Sequence, residues 1–262
     1  MSERAPLTLA VAFPTAVPRP LTGRVELALA EAMQARTRPA QVTGVIEAMF
    51  FQIGGLSVTR DLVTRLATGA RAWLLARAAL TFLPGPRWFQ ARCGSCGESY
   101  DLRVSLSELP RSDVPSVFPV IEVDTSRGPR RFEVPSGAVE DALAHATPDQ
   151  ALRVLARECG LADTRAEDAQ GFTTADLQLI DAQLDAATPD IAETIETACP
   201  ICEAETAARI DPLSFAFPSG STVLGQVHRL ARSYHWSEDA ILDLPTARRA
   251  SYARLIANEA RR

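Results

Sequence analysis

Two Cys-x-x-Cys pairs, Cys93/Cys96 and Cys199/Cys202, constrain this chain more than any other feature. Cysteines two residues apart reach one tetrahedral ion together, and two such pairs supply the four sulfurs of a closed structural zinc site. The fifth cysteine, Cys159, stands alone on an apolar stretch and is expected in the core. An odd cysteine count with two close pairs fits metal binding in a reducing compartment better than a disulfide framework.

The local sequence supports a turn at each pair. Gly94 lies inside the first pair and Gly97 follows it, which lets the backbone fold tightly, while Pro200 stiffens the second. Glu203 stands where the second pair lacks the corresponding glycine. Alternating, strand-like sequence follows both pairs, at residues 100–106 and 207–215. About a hundred residues separate the pairs, where compact zinc sites have roughly 15 to 20. Loop-closure cost grows logarithmically, so the extra length costs on the order of 1.5 kcal/mol. A structural zinc site contributes roughly 10 to 16 kcal/mol in apparent binding free energy and outweighs that cost. The competing reading is two unrelated reduced pairs. A redox dithiol of the thioredoxin kind needs its pair between a strand and a helix, a context that neither pair has. Filled by four sulfurs, Zn2+ here is structural, without an open position for catalysis, and ties the ends of an insertion spanning residues 97–198.

The 262 residues are 47% hydrophobic, enough for one large core or two small ones. The opening residues have no apolar signal core, and the most apolar stretch, residues 45–58, is interrupted by Glu47, Gln52 and Gly54-Gly55. A soluble cytoplasmic chain without a membrane span is therefore expected. A net charge of -5 gives no general pull toward nucleic acid, so protein partners are expected and nucleic acid is not. All 27 basic residues are arginine, which removes Schiff-base lysines and lysine-dependent phosphate loops. His145, His228 and His235 match no metalloprotease pair, and no nucleophile elbow, dinucleotide loop or kinase motif occurs. No catalytic residue and no small-molecule substrate is expected.

The pattern along the chain predicts an α+β, mainly α-helical fold. Four prolines keep residues 6–20 extended. Helices are predicted over residues 21–33, along a face formed by Val42, Val45, Ile46, Met49, Phe50 and Ile53, and as one long helix over residues 59–82. Residues 117–123 and 131–134 flank a turn-rich stretch and read as a hairpin. Short helices follow over residues 138–146, from Thr147 to Cys159, and over residues 175–187 under a Thr174 cap. Another is predicted to open at Thr188-Pro189 and lead into Cys199. These readings divide the chain into a helical N-terminal region (1–90), a zinc-ribbon-like element (91–218) and a helical C-terminal subdomain (219–262). Within the second part, residues 91–108 and 197–218 form the ribbon and 109–196 an inserted hairpin and helices.

Residues 158–205 carry twelve acidic side chains against Arg165 alone, whereas residues 60–92 carry six arginines against Asp61 alone. Two solvated faces of opposite sign and a docking complementarity are both consistent with this segregation. In the C-terminal part Val223, Val227, Leu230 and Tyr234 share a helix face, Ser237 caps a short helix, and Pro245 starts a last one. Tyr234, Trp236, Arg248, Arg249 and Tyr252 are candidate partner-binding residues, because Trp, Tyr and Arg anchor interfaces. A helical subdomain packed by Trp236 and Tyr252 explains the same residues. Arg254, Arg261 and Arg262 add positive charge, diluted by Glu238, Asp239, Asp243 and Glu259.

The order of these motifs resembles a known family. Val227-His-Arg-Leu230, then Tyr234-His-Trp-Ser-Glu-Asp-Ala-Ile-Leu-Asp-Leu-Pro245, Arg248-Arg249 and Tyr252 are similar to the T-even-type phage baseplate hub proteins and hub-assembly chaperones. Phe132-Glu-Val-Pro-Ser-Gly137 and the cysteine pairs add to the likeness, which is strongest in the last forty residues and fades before Val58. Relatives of that family occur in contractile phages and phage-tail-like contractile injection systems. The resemblance implies a non-catalytic baseplate component or assembly chaperone, made in the bacterial cytoplasm, with hub or wedge proteins as partners. A zinc-ribbon adaptor for nucleic acid or another protein is the alternative.

Overall fold

Prolines 6, 14, 18 and 20 hold the opening segment out of a helix. In the computed structural model, which describes residues 5–192 and 194–259, that segment ends in strand β1 (Ala16–Pro18). Glu193, Arg261 and Arg262, counted among the charges above, lie outside the described residues, as do the first four. The fold is α+β and mainly helical, with eleven α-helices and nine short strands among the described residues.

Helix α1 (Gly23–Ala32) leads to α2 (Arg38–Met49), where the Thr37 hydroxyl accepts the Ala40 N–H and Pro39 stiffens the first turn. The predicted helical face does not continue to Ile53. Phe50 turns extended and starts β2 (Phe50–Ile53), which pairs with β1 and with β3 (Leu56–Ser57). Phe50 and Ile53 still enter the core, at 3% and 2% exposure, but from a strand. Their spacing satisfies either geometry, and the neighbouring β1 decides between them by pairing with the β2 backbone.

The predicted helix over residues 59–82 is two helices, α3 (Arg60–Thr64) and α4 (Thr68–Phe82). Between them Leu66 accepts the Gly137 N–H and Thr68 donates to the Pro135 carbonyl, so tertiary hydrogen bonds replace helical ones. Strands β4 (Arg87–Arg92) and β5 (Ser99–Val104) form one antiparallel hairpin, and β6 (Val120–Thr125) with β7 (Gly128–Glu133) a second. Four helices follow: α5 (Gly137–Leu143), α6 (Ala151–Cys159), α7 (Arg165–Gly171) and α8 (Thr174–Ala187). The cap of α8 is Thr173, one residue earlier than predicted, in a reciprocal capping box with Asp176. No helix opens at Thr188-Pro189. The Pro189 carbonyl lies against Gly69, where an added Cβ would sit 1.6 Å from it, and the chain passes into strand β8 (Thr194–Ala198). Strand β9 (Glu205–Arg209) completes a third hairpin, and α9 (Gly220–Tyr234), α10 (Glu238–Leu242) and α11 (Thr246–Glu259) close the chain.

The main core draws Leu29, Ile46 and Leu74 from the first ninety residues together with Phe132, Val134, Cys159 and Ile180 from residues 109–196. The stretch between the cysteine pairs is thus part of the helical core rather than an appendage. One of its acidic side chains, Asp168, is answered locally, accepting from Arg127 and Arg130 of the β6–β7 hairpin at 3.2 and 3.0 Å. A separate cluster of Val223, Val227, Leu230, Ile241 and Ala253 packs α9, α10 and α11 together. That unit docks on α1 through Arg24 with Asp239 and Asp243, and through Glu26 with Arg249. Beneath the two cysteine hairpins lie Ala79, Val104 and Ile210, with Phe89 and Phe215 at a ring separation of 4.5 Å.

Candidate metal centre

Each cysteine pair occupies the tip of an antiparallel hairpin, with a strand before it as well as after it. The first pair follows the Arg92–Ser99 rung of β4 and β5, and the second follows the Ala198–Glu205 rung of β8 and β9. The two tips repeat one hydrogen-bond pattern. Cys93 N–H donates to Glu98 and Gly97 N–H donates back to the Cys93 carbonyl, at 2.9 and 3.0 Å. Cys199 N–H donates to Ala204 and Glu203 N–H back to the Cys199 carbonyl, both at 2.9 Å. Closing either turn requires the left-handed backbone region, which Gly97 occupies at φ 76° and Glu203 at φ 61°.

The turns aim backbone donors at sulfur. Cys93 Sγ accepts from the N–H groups of Ser95 (3.3 Å) and Cys96 (3.5 Å), and Cys199 Sγ from Ile201 (3.5 Å). A hydrogen bond from Gly94 N–H to the Thr206 hydroxyl, 3.3 Å, joins the two tips directly. The leading cysteine of each pair is buried, Cys93 at 2% and Cys199 at 1%, while Cys96 and Cys202 face outward. Tyr100 packs against the two buried cysteines.

These turns bring all four sulfurs within 4.8 Å of one another. Cys93 Sγ is 3.8 Å from Cys202 Sγ, and Cys96 Sγ is 3.9 Å from Cys199 Sγ. Four sulfurs placed about 2.3 Å from a central zinc form a tetrahedron with edges of about 3.8 Å, so the spacing suits that ion. It is far beyond the roughly 2.05 Å of a disulfide. Backbone N–H groups of Cys96 and Ser95 lower the Cys93 thiol to about 6, in the direction that favours the thiolate a metal needs. The Glu98 N–H works in the same sense on Cys96, but burial and the shared hydrogen bonds with Cys202, Cys93 and Cys199 push that thiol up to about 12.

The other sequence-predicted site residues separate into two groups. Tyr234 stacks on Trp236 at 5.0 Å between ring centres, and Tyr252 meets Trp236 edge-on at 5.2 Å. Trp236 keeps 37% of its surface, and Arg248 is exposed beside this cluster on α11. Arg249 differs: it is 1% exposed, paired with Glu26 and hydrogen-bonded to Gln226 Oε1 at 2.9 Å. Its side chain is structural and offers nothing to a partner. The signal was its phase, since Arg249, Ala253 and Ile256 follow helical spacing along the side of α11 that faces the rest of the subdomain. Sequence reasoning also passed over Trp88, 70% exposed on β4, and the buried Arg71, whose Nε donates to Glu140 at 2.6 Å.

Comparison of the chain with protein-family models, with curated proteins and with solved structures gives no match.

Proposed function

We propose that this chain is a non-catalytic component or assembly factor of a contractile baseplate, in a phage tail or a phage-tail-like injection system, stiffened by one structural zinc. The sulfur tetrad supports the structural-zinc part of the reading: four thiolate ligands would fill a tetrahedral coordination sphere and leave no position on the ion for a reacting water or substrate. The assignment to a baseplate rests on the sequence likeness of residues 227–252 to hub proteins and hub-assembly chaperones. Hub or wedge proteins are then the partners, and the aromatic cluster of Tyr234, Trp236 and Tyr252 with exposed Arg248 is the docking surface. Among the described residues no helix is long and apolar enough to cross a membrane, which is compatible with assembly in the cytoplasm of a bacterial host and incorporation into a particle. The adaptor reading through nucleic acid has less support, since the chain carries a net charge of -5 and Glu238, Asp239 and Asp243 dilute the basic C-terminal helices.

The test is co-expression with the hub proteins of the same gene cluster. Wild-type protein is expected to co-purify with them, and Trp236→Ala to weaken that capture while keeping its zinc and its melting transition. Unchanged capture by Trp236→Ala removes the docking surface, and no capture of any baseplate protein by the wild type removes the assignment. Mass spectrometry of purified particles separates a resident subunit, which is found there, from a chaperone, which is not.

A further inference from the structure

The two cysteine hairpins turn chemically opposite faces to solvent. Cross-strand partners project to the same side of a hairpin, so Trp88 with Arg103, Gln90 with Asp101 and Arg92 with Ser99 share the outer face of β4 and β5. All six are exposed, and Trp88, at 70%, is the most exposed of the large apolar side chains. On the other side Phe89, Ala91, Tyr100 and Leu102 pack inward. This outer face carries Trp88 beside Arg103 at one end, Arg92 at the tip end and one acid, Asp101, between them.

The hairpin of β8 and β9 shows the reverse. Thr194 with Arg209, Glu196 with Ala207 and Ala198 with Glu205 share its outer face, all exposed; Arg209, at the end away from the tip, already has an interaction of its own, and Ile201 at the tip is 57% exposed. Glu203 adds a further exposed acid beside Ile201. Two exposed alanines bordered by acids near the tip form a small apolar patch, opposite in sign to a face that carries Trp88 and two arginines. Neither Arg92 and Arg103 nor Glu196 and Glu205 form an ion pair with a described residue, so the charges of both faces remain available.

We propose that these faces dock on one another between molecules: the β4–β5 face of one chain seats on the β8–β9 face of a second copy. Trp88 lies over Ala198 and Ala207, with Arg92 and Arg103 against Glu196 and Glu205. Trp and Arg are the residues that dominate interface energetics, and charge complementarity fixes the register. Because the two faces differ, the contact is head-to-tail; it closes into a ring if the rotation permits and otherwise extends. The contact is independent of the baseplate reading, since it uses neither the C-terminal cluster nor any other protein.

The experiment is sedimentation velocity on the zinc-loaded protein over a wide concentration range, at low and at high salt. Wild type is expected to associate with rising concentration at low salt and to dissociate at high salt. Trp88→Ala weakens association by about tenfold or more, a value expected for loss of a central anchor. The charge-reversed pairs Arg92→Glu/Arg103→Glu and Glu196→Arg/Glu205→Arg each sediment as monomers, and a 1:1 mixture of the two associates again. Zinc content and far-UV circular dichroism verify that each variant is folded, and Trp88→Ala alone carries the test if a double variant loses its zinc. A wild type that stays monomeric throughout at low salt overturns the proposal, as does a mixture that fails to reassociate although both variants are folded. A monomeric wild type that binds a labelled single-stranded oligonucleotide, with quenching of Trp88, also overturns it and gives the basic face to nucleic acid instead.

Discussion

Gly97 and Glu203 hold the same position in two copies of one turn. Each follows the second cysteine of its pair, each has positive φ, and each returns a hydrogen bond to the carbonyl of the leading cysteine. Only one of them is the residue suited to that backbone.

The left-handed region costs a residue with a Cβ about 1 kcal/mol or more relative to glycine. Glu203→Gly is therefore expected to raise the stability of the zinc-loaded protein by about 1 kcal/mol, and Gly97→Ala to lower it by a similar amount. Urea denaturation measures both. A Glu203→Gly variant no more stable than wild type shows that the Glu203 side chain makes a compensating interaction.

Metal analysis is expected to give one zinc per chain, and cobalt substitution a visible spectrum of tetrahedral thiolate type. Since the sulfur cluster and the main helical core contain different residues, chelation or Cys199→Ser should act locally. Amide exchange should speed up in β4, β5, β8 and β9, while α2, α4 and α8 keep their protection. Collapse of protection across all of these elements together would show that the ion supports the whole fold.

Asp176 is 6% exposed and accepts four hydrogen bonds, from the backbone N–H and hydroxyl groups of Ser126 and Thr173. The Ser126 hydroxyl and N–H, with the Thr173 hydroxyl, hold its carboxyl well below the usual carboxylate range. A folded-state pKa below the unfolded value of about 3.9 stabilises the protein above that pH, and the contribution disappears as pH falls toward the folded value. Asp176→Ala is expected to cost about 2 to 3 kcal/mol at pH 7, through lost charged hydrogen bonds and the lost capping box. Denaturation between pH 5 and pH 2 should be less steep in pH for Asp176→Asn than for wild type. Equal slopes would assign the acid sensitivity to other carboxylates.

Arg249 and Glu26 tie the C-terminal helices to α1 from inside, at 1% and 9% side-chain exposure. Removing one member leaves the other charged and unmatched, so Glu26→Ala is expected to cost about 3 to 5 kcal/mol. Glu26→Leu combined with Arg249→Met replaces the pair by apolar volume and should recover most of that loss. Thermal melts of the single and double variants decide this, and a double variant as unstable as the single would show the pair itself to be strongly favourable. Arg248→Ala, on the exposed side of the same helix, should leave the melting transition unchanged.

The four-cysteine cluster was legible in the sequence because Cys-x-x-Cys pairs have few other uses in a chain of this kind, and the two turns carry their own punctuation in Gly94, Gly97 and Pro200. The strands leading into the pairs were harder to read. In residues 87–92 the alternation places Trp88 outside and Ala91 inside, the reverse of what hydrophobicity suggests. In residues 194–198 the Thr-Ile-Glu-Thr pattern was a usable strand signal, obscured by the helix-start signature of Thr188-Pro189. The break between α3 and α4 and the strand at Phe50 come from pairing with Pro135, Gly137 and β1, which local periodicity does not encode. The burial of Arg249 depends on Glu26, more than two hundred residues away in sequence. The helical phase of Arg249 marks its side of α11 as inward-facing, but it does not name the acid that meets it there.

The separation of the two cysteine pairs also sets a timetable. At synthesis rates of roughly 5 to 20 residues per second, Cys199 and Cys202 emerge on the order of 5 to 20 s after Cys93 and Cys96. Until then the first hairpin holds only half a coordination sphere, while the helices between the pairs have time to fold. Four-sulfur coordination of one ion therefore becomes possible only once both hairpins have been made, which places it after the synthesis of the helices between them.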